Sequence, residues 1–182
     1  MKKKFNPRIK ARLRKNRQVL VKYRYFLAGL KVLNCELKEC NIEEDPVRPE
    51  LDNNFRTGYG RKIYGVEYLG EIHAVMCFAY TNKVPKSVDE LEKLSTDAFL
   101  QSAMRDQSGG QIAIAYTVWS KKKGGGKLIV KEVFKKIKKS NHLNRLVTLS
   151  PLTDMATKFH ESNGAKLIQI NETTQNFEYK VL

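Results

Sequence analysis

Along the N-terminal stretch, apolar residues fall at Val19, Tyr23, Phe26, Leu27 and Leu30, three and four apart. That spacing predicts an amphipathic helix over residues 10–33 with a basic back. Leu33, Cys35 and Leu37 then alternate as a strand would, so the end of this helix is open. Residues 43–54, "EEDPVRPELDNN", hold two prolines among polar side chains and predict a loop. The next pattern changes period. "RKIYGVEYLGEIHAVMCFAY" predicts two strands joined tightly at Gly70-Glu71, the second of them almost wholly apolar and therefore central in its sheet.

"PKSVDELEKLSTDAFLQSAM" returns to helical spacing through Val88, Leu91, Leu94, Phe99 and Leu100. Ser87 stands as N-cap with Glu90 three residues on, the spacing of a capping box. "QIAIAYTVWS" is a second near-continuous apolar strand. After a glycine-rich loop, Leu128, Ile129, Val133, Phe134 and Ile137 mark a helix running to about Lys139. "RLVTLSPL" predicts a short strand, and "TDMATKFHESNGA" a short helix capped by Asn163-Gly164. "KLIQI" and "NFEYKVL" close the chain as a hairpin. Helices and strands interleave in this order without internal repeats, which predicts an α/β fold around a mixed central sheet.

The 182 residues and 41% apolar content fit one domain with an appended arm. No apolar run reaches the ~18 residues needed to cross a bilayer, and the basic start lacks the apolar core of a secretion signal. The expected location is the cytoplasm, with no membrane partner. Cys35, Cys40 and Cys77 have no CxxC spacing and only His73, His142 and His160 beside them, so inert thiols are expected and no metal site.

Charge changes the picture more. The formal net charge is +15, which favours anionic partners. Residues 1–31 carry twelve Lys or Arg and no acid, residues 36–52 carry seven acids, and residues 121–139 carry nine lysines against the single Glu132. The first block interleaves its cations with Tyr and Phe, a composition suited to phosphate neutralisation and base stacking. RNA or DNA is the partner expected for that arm.

The third block surrounds "SKKKGGGKL", Ser120 to Leu128. A strand that enters glycines and then a helix makes an anion site: the first-turn amides have no internal partner and carry the positive end of the helix dipole. Glycines let a ligand approach the backbone. A flexible, solvated turn is the plain alternative. The stretch is not a P-loop, because GKS or GKT is missing, and GxGxxG would need glycine where Ile129 stands.

"VWSKKKGGGKLIVKEVFKKI" resembles the coenzyme A loop of the GNAT superfamily of N-acetyltransferases. The family places Gln or Arg, two residues, Gly, one residue and Gly or Ala after a central strand; Lys121, Gly124 and Gly126 stand there. Downstream the family has Asn, then Ala, an apolar residue and Tyr on a helix; Thr153, Ala156, Phe159 and His160 stand there, ahead of Gly164-Ala165. The likeness runs from Arg61 to Leu182. It implies a single GNAT-like domain over residues 36–182, a mixed central sheet flanked by helices, behind a basic helical arm over residues 1–35. It also implies an enzyme, an acetyl-CoA-dependent N-acyltransferase acting on an amine, its target a nucleic acid or a nucleic-acid-associated molecule. The alternative is a non-catalytic nucleic-acid-binding protein on the same scaffold.

For acetyl-CoA the resemblance implies Val118, Ser120, Lys121, Lys122, Lys123, Gly124, Gly125, Gly126, Lys127 and Thr153. It implies a backbone N–H near Val118 as donor to the thioester oxygen, and His160 in the tyrosine's place as acid for the departing thiolate. An imidazole with its ordinary pKa of ~6.5 would suit neutral pH. Glu67, Glu71 and His73 are base candidates on the strands expected to flank the cleft, and Glu178 and Tyr179 on the last strand could face it; Tyr179 is the second choice for the acid.

Overall fold

The computed structural model describes residues 36–68, 70–103 and 109–179. The expected basic arm over residues 1–35, with Cys35, lies outside the described residues. The first strand, β1 (Glu36–Glu39), leads into a loop over residues 40–52, a short helix α1 (Asn53–Thr57) and a 3-10 turn (Gly58–Gly60). The sequence pattern predicted neither α1 nor the turn. Asp52 starts α1 by accepting a hydrogen bond from the Phe55 N–H at 2.7 Å.

The hairpin of β2 (Lys62–Tyr68) and β3 (Glu71–Thr81) forms as the alternation predicts. Helix α2 (Val88–Ala103) begins at Ser87, whose Oγ accepts from Glu90 N at 3.1 Å, while the Glu90 carboxylate reaches back to Lys86 N at 2.6 Å. The expected stripe on α2 is shifted. Leu91 and Ala98 are buried, whereas Phe99 and Leu100 are exposed, because the helix buries a narrower line that includes Ser95 and Ser102.

Strand β4 (Ile112–Ser120) feeds helix α3 (Gly125–Lys138); β5 (Arg145–Thr148) and the two-residue β6 (Ser150–Pro151) precede helix α4 (Asp154–Ser162). A terminal hairpin pairs β7 (Ala165–Ile170) with β8 (Thr174–Tyr179). One sheet runs in the order β1-β2-β3-β4-β5-β8-β6, with β7 on β8. All pairings are antiparallel except β4 with β5.

β3 reads as continuous apolar sequence because both its faces are covered. Val75, Cys77 and Ala79 join Leu91, Ile114 and Tyr116 in a core under α2. On the other face α3 packs against β3 and β4 through Ile129, Val130, Val133 and Ile137. Cys77 is buried in the core under α2, and burial pushes its thiol pKa up to about 12, in keeping with an inert thiol.

Candidate acyl-transfer cleft

β4 and β5 pair in parallel only from Ile112–Arg145 to Ala115–Thr148. One further bond, Leu149 N to Ala115 O at 2.9 Å, closes the ladder. Beyond it β5 ends and β4 continues to Ser120, so the strands part. A bulge marks the same point: Phe78 pairs with Ala115 and Cys77 with Thr117, leaving Tyr116 as the extra residue. Bulges re-aim the strand beside a site. Here the parting leaves a cleft of about 300 Å³ through the sheet, with Val118 and Ser120 on one side, Gly126 at one end, and Ser150, Thr153 and His160 on the other side.

At the α3 end the geometry is that of an anion site. Gly124 is the N-cap in the left-handed region, φ 88°, and no side chain caps the helix. Gly125 N reaches Lys122 O, and Leu128 N reaches Gly124 O. A Cβ at Gly124 would meet nothing within 4 Å, so its face is open. Lys121, Lys122, Lys123 and Lys127 are all exposed around it. The other two glycines serve packing. A Cβ at Gly125 would come within 3.0 Å of His73 O, and one at Gly126 within 2.9 Å of the Phe159 ring. Gly126 therefore lets α3 approach α4.

On the opposite wall, Thr153 caps α4 by accepting from Ala156 N at 3.3 Å. His160 is buried, and both ring nitrogens are engaged: Nε2 lies 2.7 Å from Ser150 Oγ and Nδ1 2.9 Å from Tyr179 Oη. Phe177 stacks on the ring at 5.0 Å. Burial lowers the His160 pKa to about 4. This differs from the ordinary pKa expected of that histidine: at neutral pH the ring is uncharged.

The base candidates Glu67, Glu71 and His73 sit together at the turn end of the β2–β3 hairpin, where Glu71 also lies 3.9 Å from Lys122 Nζ. Glu67 on β2 accepts from Lys38 Nζ at 3.1 Å and does not line the cleft. His73 lies at the same end of the hairpin, next to Ile72, which pairs with Glu67; its carbonyl accepts from Lys121 N at 2.9 Å and its Nε2 lies 4.0 Å from Glu71. Glu178 is held by Arg145 at 2.6 Å and 3.2 Å. Tyr179 reaches the cleft only through His160.

Sequence reasoning read residues 43–54 as a polar loop and missed the buried brace that this segment carries. Arg48 bridges the parting strands, with Nε donating to Tyr116 O at 2.9 Å and Nη2 to Leu149 O at 3.1 Å. Asp45 accepts from the Val47 and Arg48 amides and pairs with Arg56 at 2.6 Å, both side chains buried. Behind this brace, on the α2 face, a second cavity of about 1040 Å³ is lined by Glu43, Glu44 and Asp52 and shares Trp119 with the cleft. The only sequence signal was the block of seven acids in an otherwise cationic chain.

This architecture, a mixed sheet whose central strands part beside a glycine-capped helix, is the GNAT fold. Solved structures agree. A Bacillus subtilis acetyltransferase crystallised with CoA superposes with TM-score 0.55 at 14% identity, covering 82% of this chain and 99% of that one. The loading GNATL domain of CurA from Lyngbya majuscula gives 0.56 at 13%, covering 80% and 96%. The GphF GNAT-like decarboxylase, solved with isobutyryl-CoA, gives 0.50 at 11%, covering 64% and 76%. No family model matches the sequence, and no curated protein does.

Proposed function

We propose that this chain is an acetyl-CoA-dependent N-acyltransferase that acylates an amine. The observation that carries the reading is the parting of β4 from β5 directly beside the uncapped start of α3. The open Gly124 face and the first-turn amides suit a pyrophosphate, and the surrounding lysines add long-range attraction. The narrow cleft suits a pantetheine arm, with backbone N–H groups at the β4 bulge near Val118 as donors to the thioester oxygen. CoA ligands in the Bacillus subtilis and GphF structures support acyl-CoA as the donor.

The cavity behind Arg48 is the acceptor side. Glu43 and Glu44 are exposed at its wall and Asp52 lies beside them, against the exposed cation Lys121 and Arg56, which is paired with Asp45. In a chain of net charge +15 this is where an ammonium group is attracted and a polyphosphate is repelled. That favours a cationic amine over a nucleobase as the reacting group. Polyanion contact belongs on the other side, along α3, where Lys127, Lys131, Lys135, Lys136, Lys138 and Lys139 are exposed and the single acid, Glu132, pairs with Lys135. The acceptor is thus an amine carried on a nucleic-acid-associated molecule. An extract incubated with the purified protein and isotope-labelled acetyl-CoA is expected to gain label on an amine-bearing component, found by mass spectrometry. Tight acetyl-CoA binding with no acceptor labelled in any fraction would refute the transferase reading. Nucleic-acid binding without acetyl-CoA binding would support the non-catalytic alternative.

A further inference from the structure

The inner wall of the cleft holds a closed set of polar groups from four elements. Tyr179 Oη on β8 contacts His160 Nδ1 on α4, His160 Nε2 contacts Ser150 Oγ on β6, and Ser150 Oγ lies 3.1 Å from Thr148 Oγ1 on β5. Thr148 Oγ1 also accepts from Phe177 N at 3.1 Å. All four side chains are buried.

Proton counting gives this set a direction. A neutral imidazole has one N–H, and each hydroxyl has one O–H. Burial keeps His160 neutral. Four protons therefore serve three side-chain contacts, and one proton is left over. If Ser150 donates to His160, the surplus proton is Tyr179's. If Ser150 donates to Thr148, it is Thr148's. Among the described residues neither Tyr179 nor Thr148 has a second acceptor, and neither lines the cleft. An orphaned buried donor is costly. In the remaining arrangement Tyr179 donates to His160 Nδ1, His160 Nε2–H donates to Ser150, and Thr148 donates to Ser150. Both Ser150 lone pairs are then filled, and its own O–H has one direction left, into the cleft that Ser150 lines.

We propose that Ser150 is a catalytic residue whose O–H donates to the thioester sulfur, and that His160 and Tyr179 are positioning residues that aim it. This rests on the acyl-transfer reading of the cleft. In the step concerned the acceptor nitrogen forms the C–N bond, the C–S bond breaks, and its electron pair stays on sulfur. The Ser150 O–H bond remains intact and stabilises the growing negative charge; the proton shed by the amine leaves to water. A thiolate needs a donor of this kind more than it needs a full proton.

The test needs no acceptor. CoA and desulfo-CoA, which lacks the sulfur, are titrated calorimetrically into the full chain at pH 7 and pH 9. A hydrogen bond to a charged group is worth enough to predict preference for CoA of about tenfold or more at pH 9, smaller at pH 7. Ser150→Ala should abolish that preference and its pH dependence while leaving desulfo-CoA affinity unchanged. Tyr179→Phe should reduce the preference with desulfo-CoA affinity kept, which a purely structural role would not do. In the free wild-type protein, ¹⁵N spectra should show His160 as the Nε2–H tautomer. The Nδ1–H tautomer, or equal binding of CoA and desulfo-CoA by wild type, would overturn the assignment alone. Binding of neither would overturn it together with the cleft reading.

Discussion

The two walls of the cleft are built on opposite principles. The α3 wall is exposed, cationic and nearly without side-chain hydrogen bonds: lysines, a left-handed glycine and bare amides. The wall formed by β6, α4 and β8 is buried, neutral and saturated with hydrogen bonds. The first wall suits an anion arriving from water, and its interactions are screened by salt. The second suits a reaction from which water is excluded, where each polar group is worth more and each orphaned one costs more. Substitutions should therefore differ in kind: on the exposed side they act on affinity with a salt dependence, and on the buried side they act on stability and, at Ser150 and Tyr179, on recognition of the sulfur.

The largest effect is expected in the brace behind the cleft. Arg56→Ala removes the partner of buried Asp45 and two bonds to the carbonyls of Leu51 and Arg48. Leaving a buried carboxylate unpaired should cost ~3–5 kcal/mol in urea unfolding. A loss under about 1 kcal/mol, the range of a surface pair, would mean that Asp45 is hydrated and the brace is open.

Next comes the pH response of the buried wall. The folded His160 pKa, about 4, lies below the unfolded value of 6.5. The unfolded chain therefore binds the extra proton first as pH falls. The stability contribution of neutral His160 is fully present above pH ~6.5 and is lost progressively down to pH ~4, about 3 kcal/mol in all. His160→Gln should flatten the unfolding curve over that window. An unchanged slope would contradict the burial that sets the two walls apart.

Much of this contrast was unreadable in the sequence, for a physical reason. Hydrophobic period fixes where β3, β4 and α3 lie, and the strand–glycine–helix junction advertises itself through glycines and lysines that no core requires. Burial of polar groups leaves no such mark. Arg48, Asp45 and Arg56 sit in a stretch that reads as a solvated loop, and their partners are backbone carbonyls of distant strands, Tyr116 and Leu149. Likewise Ser150 looks like an ordinary strand-end serine until the fold brings α4 and β8 beside it. His160 was visible as a candidate, but its pKa depends on Phe177 and on burial that only the closed sheet supplies. The α2 stripe misled in the opposite sense, since Phe99 and Leu100 have the right spacing and yet face out.

Smaller effects are expected on the exposed wall. Gly124→Val forces a β-branched residue into φ 88° and should displace the first-turn amides. Acetyl-CoA affinity should fall more than tenfold in calorimetry, and the left-handed strain should lower stability by about 1–2 kcal/mol in urea unfolding. Gly126→Val is a poorer probe, because the new side chain would strike Phe159. The smallest effect is that of Lys121→Gln, Lys122→Gln and Lys123→Gln combined: a few-fold loss at low ionic strength that shrinks towards nothing above ~0.5 M salt. A salt-independent loss would place a lysine in direct, desolvated contact with the ligand.

The most direct measurement is an amide chemical-shift titration of the full chain with acetyl-CoA. The expected result is saturable movement of the Gly124, Gly126 and Lys127 amides on one wall and of Ser150 and Thr153 on the other, with the Lys131 to Lys139 amides still. No movement at millimolar acetyl-CoA, or movement confined to the exposed lysines and removed by salt, would contradict the cleft as the acyl-CoA site.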